Sequence, residues 1–87
     1  IKEDFNFKQS AIDLLITSQL RTAMILNKKI KSTNYNIDTY KQKIYIYGIA
    51  RNEDEQKEVI KEGKEINDVK KVIASILLVE DLRIQKD

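Results

Sequence analysis

The stretch Lys43-Ile-Tyr-Ile-Tyr-Gly-Ile-Ala-Arg-Asn-Glu53 decides the reading of this chain. Ile44, Ile46, Gly48 and Ala50 fall on one face at period two, and Tyr45, Tyr47 and Ile49 on the other. Alternation rich in β-branched and aromatic residues is strand patterning. It stops at Arg51-Asn52, and Glu53, Asp54 and Glu55 follow. An Asn that can accept from N–H groups two or three residues on, with acids in the first turn, starts a helix. The stretch is therefore a strand running straight into a helix.

Upstream, Asn34 to Tyr40 alternates again, with Tyr35, Ile37 and Thr39 on one face and Asn34, Asn36 and Asp38 on the other. This is a half-buried strand. Lys41-Gln42 separates it from the Ile44 strand. A two-residue hairpin loop needs φ > 0 at both positions and favours Asn-Gly or Asp-Gly. Lys-Gln suits it poorly, so a longer loop is expected, drawing in Tyr40 or Lys43. Before these strands, Ile12, Ile16, Leu20, Ala23 and Met24 recur at helical spacing, with Leu15 beside them and Gln19, Arg21 and Thr22 opposite. Ser10, with Asp13 three residues on, reads as the helix start in a near capping box, and the helix runs to about Leu26. Residues 1–9 are a lead-in whose Phe5 and Phe7 are expected to dock on the core. Lys28, Lys29 and Lys31 follow the helix end, where cations complement its dipole or could contact phosphate.

Downstream, a helix from Glu53 to about Glu65 carries Val59, Ile60, Gly63 and Gln56 inward, continued by Ile66. Glu55, Lys57, Glu58, Lys61, Glu62 and Lys64 form its solvated face. Gly63 reads as a point of close approach to the sheet. After a turn at Ile66-Asn67-Asp68-Val69, Val72 to Val79 is almost wholly apolar and reads as a strand buried on both faces. The helical crossover makes it parallel to the Ile44 strand. Residues 80–87 are a polar tail or linker.

Eighty-seven residues make one small domain without room for an enclosed substrate cavity. A net charge of +2, from 16 basic and 14 acidic side chains, does not point to nucleic acid. The chain has no Cys and no His. Disulfides, thiolate metal sites and the commonest general base are excluded together. Ser10 and Ser75 have no base to activate them. Two glycines cannot build a phosphate loop. The acids Glu53, Asp54, Glu55 and Glu58 lack calcium-loop spacing and read as complements to a helix N-terminus. No enzyme, no cofactor and no metal are expected. No apolar run approaches the roughly 20 residues that span a bilayer.

The order helix, strand, strand, helix, strand resembles the BON domain family of bacterial envelope modules. The family strand V-x-L-x-G-x-V corresponds to Ile44-Tyr45-Ile46-Tyr47-Gly48-Ile49-Ala50. Its G-V-x-x-V-x-N-x-L turn and strand correspond to Asp68-Val69-Lys70-Lys71-Val72-Ile73-Ala74-Ser75-Ile76. The family's turn glycine is Asp68 here, and the glycine usual in the hairpin loop is absent. Both sites can want φ > 0, where Asp and Asn are the least penalised substitutes. The likeness covers residues 12–79, so residues 10–79 are taken as the BON-like domain.

The resemblance implies an α+β sandwich, α-β-β-α-β, with a three-stranded mixed sheet and both helices on one face. It implies a non-catalytic binding module of the bacterial periplasm. Such a module contacts anionic phospholipid or envelope proteins, beside a second such domain or as a homo-oligomer, and is held at the outer membrane by an anchor outside this chain. For lipid the candidates are Lys28, Lys29 and Lys31, with Lys70 and Lys71 as a second basic site. If Ile44, Ile46 and Gly48 face the helices, then Tyr45, Tyr47, Ile49, Ile73, Leu77 and Val79 share the uncovered face. Gly48 inward is expected to leave space for a helix. An apolar patch of that kind commonly marks an interface, so the rival reading is an assembly domain working through that face.

Overall fold

The computed structural model describes residues 7–79. Helix α1 (Phe7–Leu26) is followed by a short 3₁₀ turn at Ser32–Asn34. Strands β1 (Tyr35–Tyr40) and β2 (Lys43–Ala50), helix α2 (Glu53–Lys64) and strand β3 (Lys71–Leu78) complete the domain. β2 is the central strand of a three-stranded sheet. It pairs antiparallel with β1, Tyr40 opposite Lys43 and Tyr35 opposite Gly48. It pairs parallel with β3, Lys43 opposite Lys71 and Ala50 opposite Leu78. The mixed α-β-β-α-β sheet and the parallel crossover are as expected.

The core lies between the sheet and the two helices. Ile44, Ile46 and Ala50 of β2 are fully buried, and so are Leu20 of α1 and Val59 of α2. Ile16, Met24, Ile30 and Tyr35 complete the cluster, and Ile12, Ile37, Val72, Ile76 and Leu78 pack against it. The other strand residues of β2 point to the uncovered side, because successive strand side chains alternate. Asn52 caps α2 as read, its Oδ1 accepting the Glu55 N–H at 2.9 Å.

Several expectations are corrected. α1 already includes Phe7, so Ser10 lies within the helix and caps nothing. Phe7 is exposed rather than docked on the core, as is Leu15; Phe5 lies outside the described residues. β3 ends at Leu78 and is not buried on both faces. It is an edge strand with helices on one side, and Leu77 is 56% exposed.

The hairpin loop is the two-residue one after all. Lys41 has φ 51° and Gln42 φ 67°, both left-handed. Asp13 explains it. Its Oδ2 accepts the Lys41 N–H and its Oδ1 the Gln42 N–H, each at 2.8 Å. The Gln42 carbonyl accepts the Lys70 N–H at 2.8 Å, and Gln42 Nε2 donates to the Asp68 carbonyl. A left-handed non-glycine residue costs about 1–2 kcal/mol, and a hydrogen bond to a charged group contributes about 1.5–3 kcal/mol. The two bonds from Asp13 therefore offset both loop residues. Asp68, at the family's glycine position, also sits at positive φ, 69°.

Gly63 lies against the sheet as read, but Gly48 makes its room for a different neighbour. A Cβ on Gly48 would come within 2.5 Å of Tyr35 Cδ1, and closer still to the Asn34 carbonyl. Its missing side chain makes room for the neighbouring strand, not for a helix. A Cβ on Gly63 would sit 3.4 Å from Val72 Cγ2, an ordinary contact.

Glu55 is the largest departure. Read as solvated, it is 3% exposed. Its Oε1 accepts the Arg51 backbone N–H and Arg51 Nε, both at 2.9 Å. Its Oε2 accepts the Lys31 N–H at 2.8 Å. Arg51 Nη2 reaches on to the Lys29 carbonyl at 3.0 Å. Burial acts to raise the Glu55 pKa. Hydrogen bonds from the Arg51 side chain and from the Lys31 and Arg51 backbone outweigh it, and the pKa is lowered. The buried Tyr35 hydroxyl has no hydrogen-bond partner among the described residues. Burial, and then the Glu55 charge, raise its pKa and keep it neutral.

Three outcomes are expected. Gly48→Ala should destabilise the domain by about 2–4 kcal/mol through overpacking and forced backbone shifts. Gly63→Ala should be neutral or stabilising by up to about 1 kcal/mol. Urea unfolding measures both. Asp13→Ala should cost about 2–3 kcal/mol, and adding Lys41→Gly should recover about 1 kcal/mol by removing a left-handed penalty; no recovery would mean that Asp13 does not act through the loop. Glu55→Gln should cost about 1–3 kcal/mol at pH 7. A carboxyl with a depressed folded pKa contributes stability above its unfolded pKa and loses it as pH falls through the folded value. The gap between wild type and Glu55→Gln should therefore begin to narrow near the ordinary Glu value, about pH 4, and close as pH falls below it. A gap independent of pH would assign the loss to packing alone.

Candidate functional site

Lys28, Lys29 and Lys31 lie on the turn that links α1 to the 3₁₀ segment, and all three are exposed. The turn is tightly built. Asn27 Nδ2 donates to Glu58 at 3.0 Å and Glu62 at 2.7 Å, so the turn is tied to α2. Asn27 Oδ1 accepts the Lys29 N–H, and Ile30 is buried beneath. Lys31 and Lys29 give their backbone groups to Glu55 and Arg51. The lysine side chains are thus displayed from a fixed backbone. Among the described residues, Lys29 alone of the three forms an ion pair, its Nζ 3.9 Å from Glu58. Exposed pairs of that kind contribute little. Asn27, and then Lys29 and Lys61, lower the pKa of Glu58 against the opposing effect of burial.

Directly before this turn, α1 ends in Ile25 and Leu26, which are 63% and 74% exposed. Neither was singled out in the sequence. The signal was present: Lys8, Asp13 and Arg21 are the only charges on a 20-residue helix, and Leu14 is exposed as well. A helix that is apolar on more than its core stripe is covered by something.

Lys70 and Lys71 belong to the other end of the sheet. The Lys70 N–H bonds the hairpin carbonyl of Gln42, and Lys71 sits beside Lys43. Lys31 and Arg51 lie past the far end of β2, about 23 Å away by strand rise. The two lysine groups are separate sites, and the structure does not join them. The second group gains Lys41 and Lys43 as neighbours, with Lys41 Nζ lying 5.4 Å from the Tyr40 ring centre.

The uncovered sheet face carries Tyr45, Tyr47, Ile49, Ile73 and Leu77, in neighbouring pairs Tyr45–Ile73 and Ile49–Leu77. Tyr47 stands between Asn36 and Ser75, and Tyr45 beside Asp38, so polar groups interrupt the patch. Tyr45 and Ile73 are half-buried; Tyr47, Ile49 and Leu77 are exposed. Val79 falls beyond β3 and is half-buried, so it does not extend the strand face.

An open groove of about 620 Å³ runs past Lys29, Arg51, Asn52, Asp54, Glu55, Lys57 and Glu58. Two of its three acids are already engaged: Glu55 by Arg51 and Lys31, Glu58 by Asn27 and Lys29. Among the described residues, no group of three or more acids could hold a metal ion. No described helix is long and apolar enough to cross a membrane.

Comparison with known proteins agrees with this arrangement. The BON domain profile matches residues 12–80. A protein of Anaplasma centrale, described as an uncharacterized protein in the gshII 5′ region, is 36% identical over 77 residues. The match covers 88% of this chain and 51% of that relative, so the chain spans about half of the relative's length. The profile runs from α1 through β3 and takes in both glycines and the strand-to-helix junction. The chain belongs to the BON domain family, whose members are envelope-associated, non-catalytic binding modules.

Proposed function

We propose that this domain is an envelope binding module that docks on anionic phospholipid surfaces through the C-terminal end of α1. One observation carries the reading: Ile25 and Leu26 are exposed at the helix end and are followed at once by the exposed lysines 28, 29 and 31. An apolar tip followed by cations is the arrangement of an interfacial anchor. The apolar side chains enter the headgroup boundary while the ammonium groups stay with the phosphates. The backbone bonds to Glu55, Arg51 and Asn27 hold the turn in advance, so little ordering is left to be done on binding.

Each lysine near an anionic surface contributes about 1 kcal/mol. Three give weak, salt-sensitive attachment, and a second domain or a lipid anchor would make it firm. A periplasmic setting, at the outer membrane through an anchor outside this chain, follows from the same reading. The second reading, assembly with an envelope protein through the uncovered sheet face, is favoured by the exposure of Tyr47, Ile49 and Leu77.

Co-sedimentation with vesicles separates them. Binding to vesicles containing phosphatidylglycerol should exceed binding to phosphatidylcholine vesicles and fade between low and physiological salt. Replacing Lys28, Lys29 and Lys31 by Gln should weaken partitioning about 100-fold, at about 1 kcal/mol per charge. Leu26→Asp should weaken it too, while Lys70→Gln with Lys71→Gln should leave it unchanged. Failure of the lysine 28, 29 and 31 variant and of Leu26→Asp to alter lipid binding, or no anionic preference, would defeat the reading. Loss of partner capture on Tyr47→Ser, with lipid binding absent, would favour the sheet face.

A further inference from the structure

Two groups of exposed lysines lie at opposite ends of β2. One follows α1 and carries the lipid docking proposed for that end. The other has no role yet: Lys41, Lys43, Lys70 and Lys71 are all exposed at the hairpin end. Strand register sets Tyr40, Lys43 and Lys71 side by side in one row across the sheet. Lys41 follows Tyr40, its Nζ 5.4 Å from the ring centre. Lys70 is fixed beside the loop by its N–H bond to the Gln42 carbonyl. Gln9 Nε2 reaches Gln42 Oε1 at 3.4 Å, so the first turn of α1, with exposed Lys8, belongs to the same end.

Among the described residues none of these four hairpin-end lysines forms an ion pair. Of the acids nearby, Asp13 is engaged, its carboxylate accepting both loop N–H groups and Gln9 Nε2. Asp38 stands one row further in, opposite Tyr45. Asp68, in the turn before Lys70, is exposed. The lysines outnumber these acids, and Tyr40 stands among them 61% exposed. A tyrosine has an apolar body and a polar tip and suits the headgroup level of a bilayer, so the group fits an anionic lipid surface rather than free phosphate. The two lysine groups are about 23 Å apart by strand rise. At 0.1 M salt, charges are screened over about 10 Å. With the α1 end docked, the hairpin end points away and feels almost nothing of that surface's charge.

We propose that the hairpin end binds a second anionic phospholipid surface, so that one domain bridges two bilayers. The inference rests on lipid docking through the end of α1. Lys41, Lys43, Lys70 and Lys71 supply the cations, their long stems letting the ammonium groups reach the phosphates. Tyr40 lies at the boundary between them. Asp13 holds the loop backbone in advance, so little ordering remains on contact. Each end attaches weakly by itself. Many domains held between two surfaces attach firmly together, because every contact made keeps the others close.

The test adds the full 87-residue chain to vesicles at about 0.1 M salt and reads clustering by turbidity and partitioning by co-sedimentation. Wild type should cluster vesicles containing phosphatidylglycerol and leave phosphatidylcholine vesicles dispersed. Electron cryomicroscopy of the clusters should show bilayers roughly 25–35 Å apart, the strand rise plus a lysine stem at each end. Replacing Lys41, Lys43, Lys70 and Lys71 by Gln should abolish clustering, while partitioning stays within about twofold of wild type, because these charges lie beyond the reach of the first surface. Retained partitioning also reports that the variant is folded. Arg at the same four positions should restore clustering. Wild type that partitions without clustering overturns this proposal and leaves docking through α1 standing; the hairpin end would then fit an acidic protein. Clustering that survives the Gln variant overturns it too, by assigning the bridge to paired copies of the chain. A Gln variant that loses partitioning as well as clustering overturns it by laying both lysine groups on one surface. Wild type that does not partition at all defeats both readings together.

Discussion

One buried carboxylate ties together everything at one end of this domain. Glu55 sits in the first turn of α2 and accepts from the end of β2 and from the turn that follows α1. Arg51 Nη2 on the Lys29 carbonyl adds a second tie between two of those segments. Taking a carboxylate out of water is costly unless its lone pairs are filled. Here three donors fill them, one of them a guanidinium, and its backbone N–H is held by the Asn52 cap. The arrangement turns a desolvation penalty into a positional constraint. The lysine-bearing turn is where it is because Glu55 holds its backbone, while Asn27 ties the same turn to α2.

The opposite end uses a second carboxylate in the same way. Asp13 reaches from α1 to the two N–H groups of the hairpin loop. Each acid lies on a helix and satisfies backbone donors of a connection that is distant in sequence. Between them the sheet is held mainly by apolar packing, which Ile44, Ile46 and Ala50 supply, with one hydroxyl pair, Thr17 and Thr39 at 2.6 Å, joining α1 to β1. The domain is thus clamped at both ends by acids and filled in the middle by aliphatic side chains. Its external faces are left to whatever it meets: an apolar helix tip with lysines at one end, a second basic group at the other, and a partly apolar sheet surface.

What could be read from the sequence was what local periodicity and capping govern. The β2 alternation, the Asn52 cap, the half-buried β1 and the parallel β3 all follow from patterns within ten residues or so. What could not be read depends on partners far along the chain. Lys41-Gln42 looks unsuited to a tight loop until Asp13, 28 residues away, is known to hold it. Glu55 looks like one more surface acid in a run of acids, since nothing local distinguishes it from Glu53 or Asp54. Gly48 was rightly placed on the inner face, but the neighbour filling its space is Tyr35 of the adjacent strand. The apolar run of β3 suggested burial on both faces because composition alone does not say whether a strand is central or at an edge. The lysine candidates were visible as a charge cluster; Ile25 and Leu26 were hidden because an apolar residue on a helix is first assigned to the core.

The Asp13 clamp also bears on how the chain reaches its fold. A hairpin with two non-glycine left-handed residues has little stability by itself, so β1 and β2 gain little by pairing early. Their loop becomes favourable once the carboxylate on α1 is at hand. Helix docking and strand pairing are thereby made parts of a single event, and a local element that would otherwise be free to nucleate alone is bound to a long-range contact. Such coupling favours an all-or-none transition with a nucleus that spans helix and hairpin together, and it disfavours a lone hairpin with free edges in the unfolded ensemble.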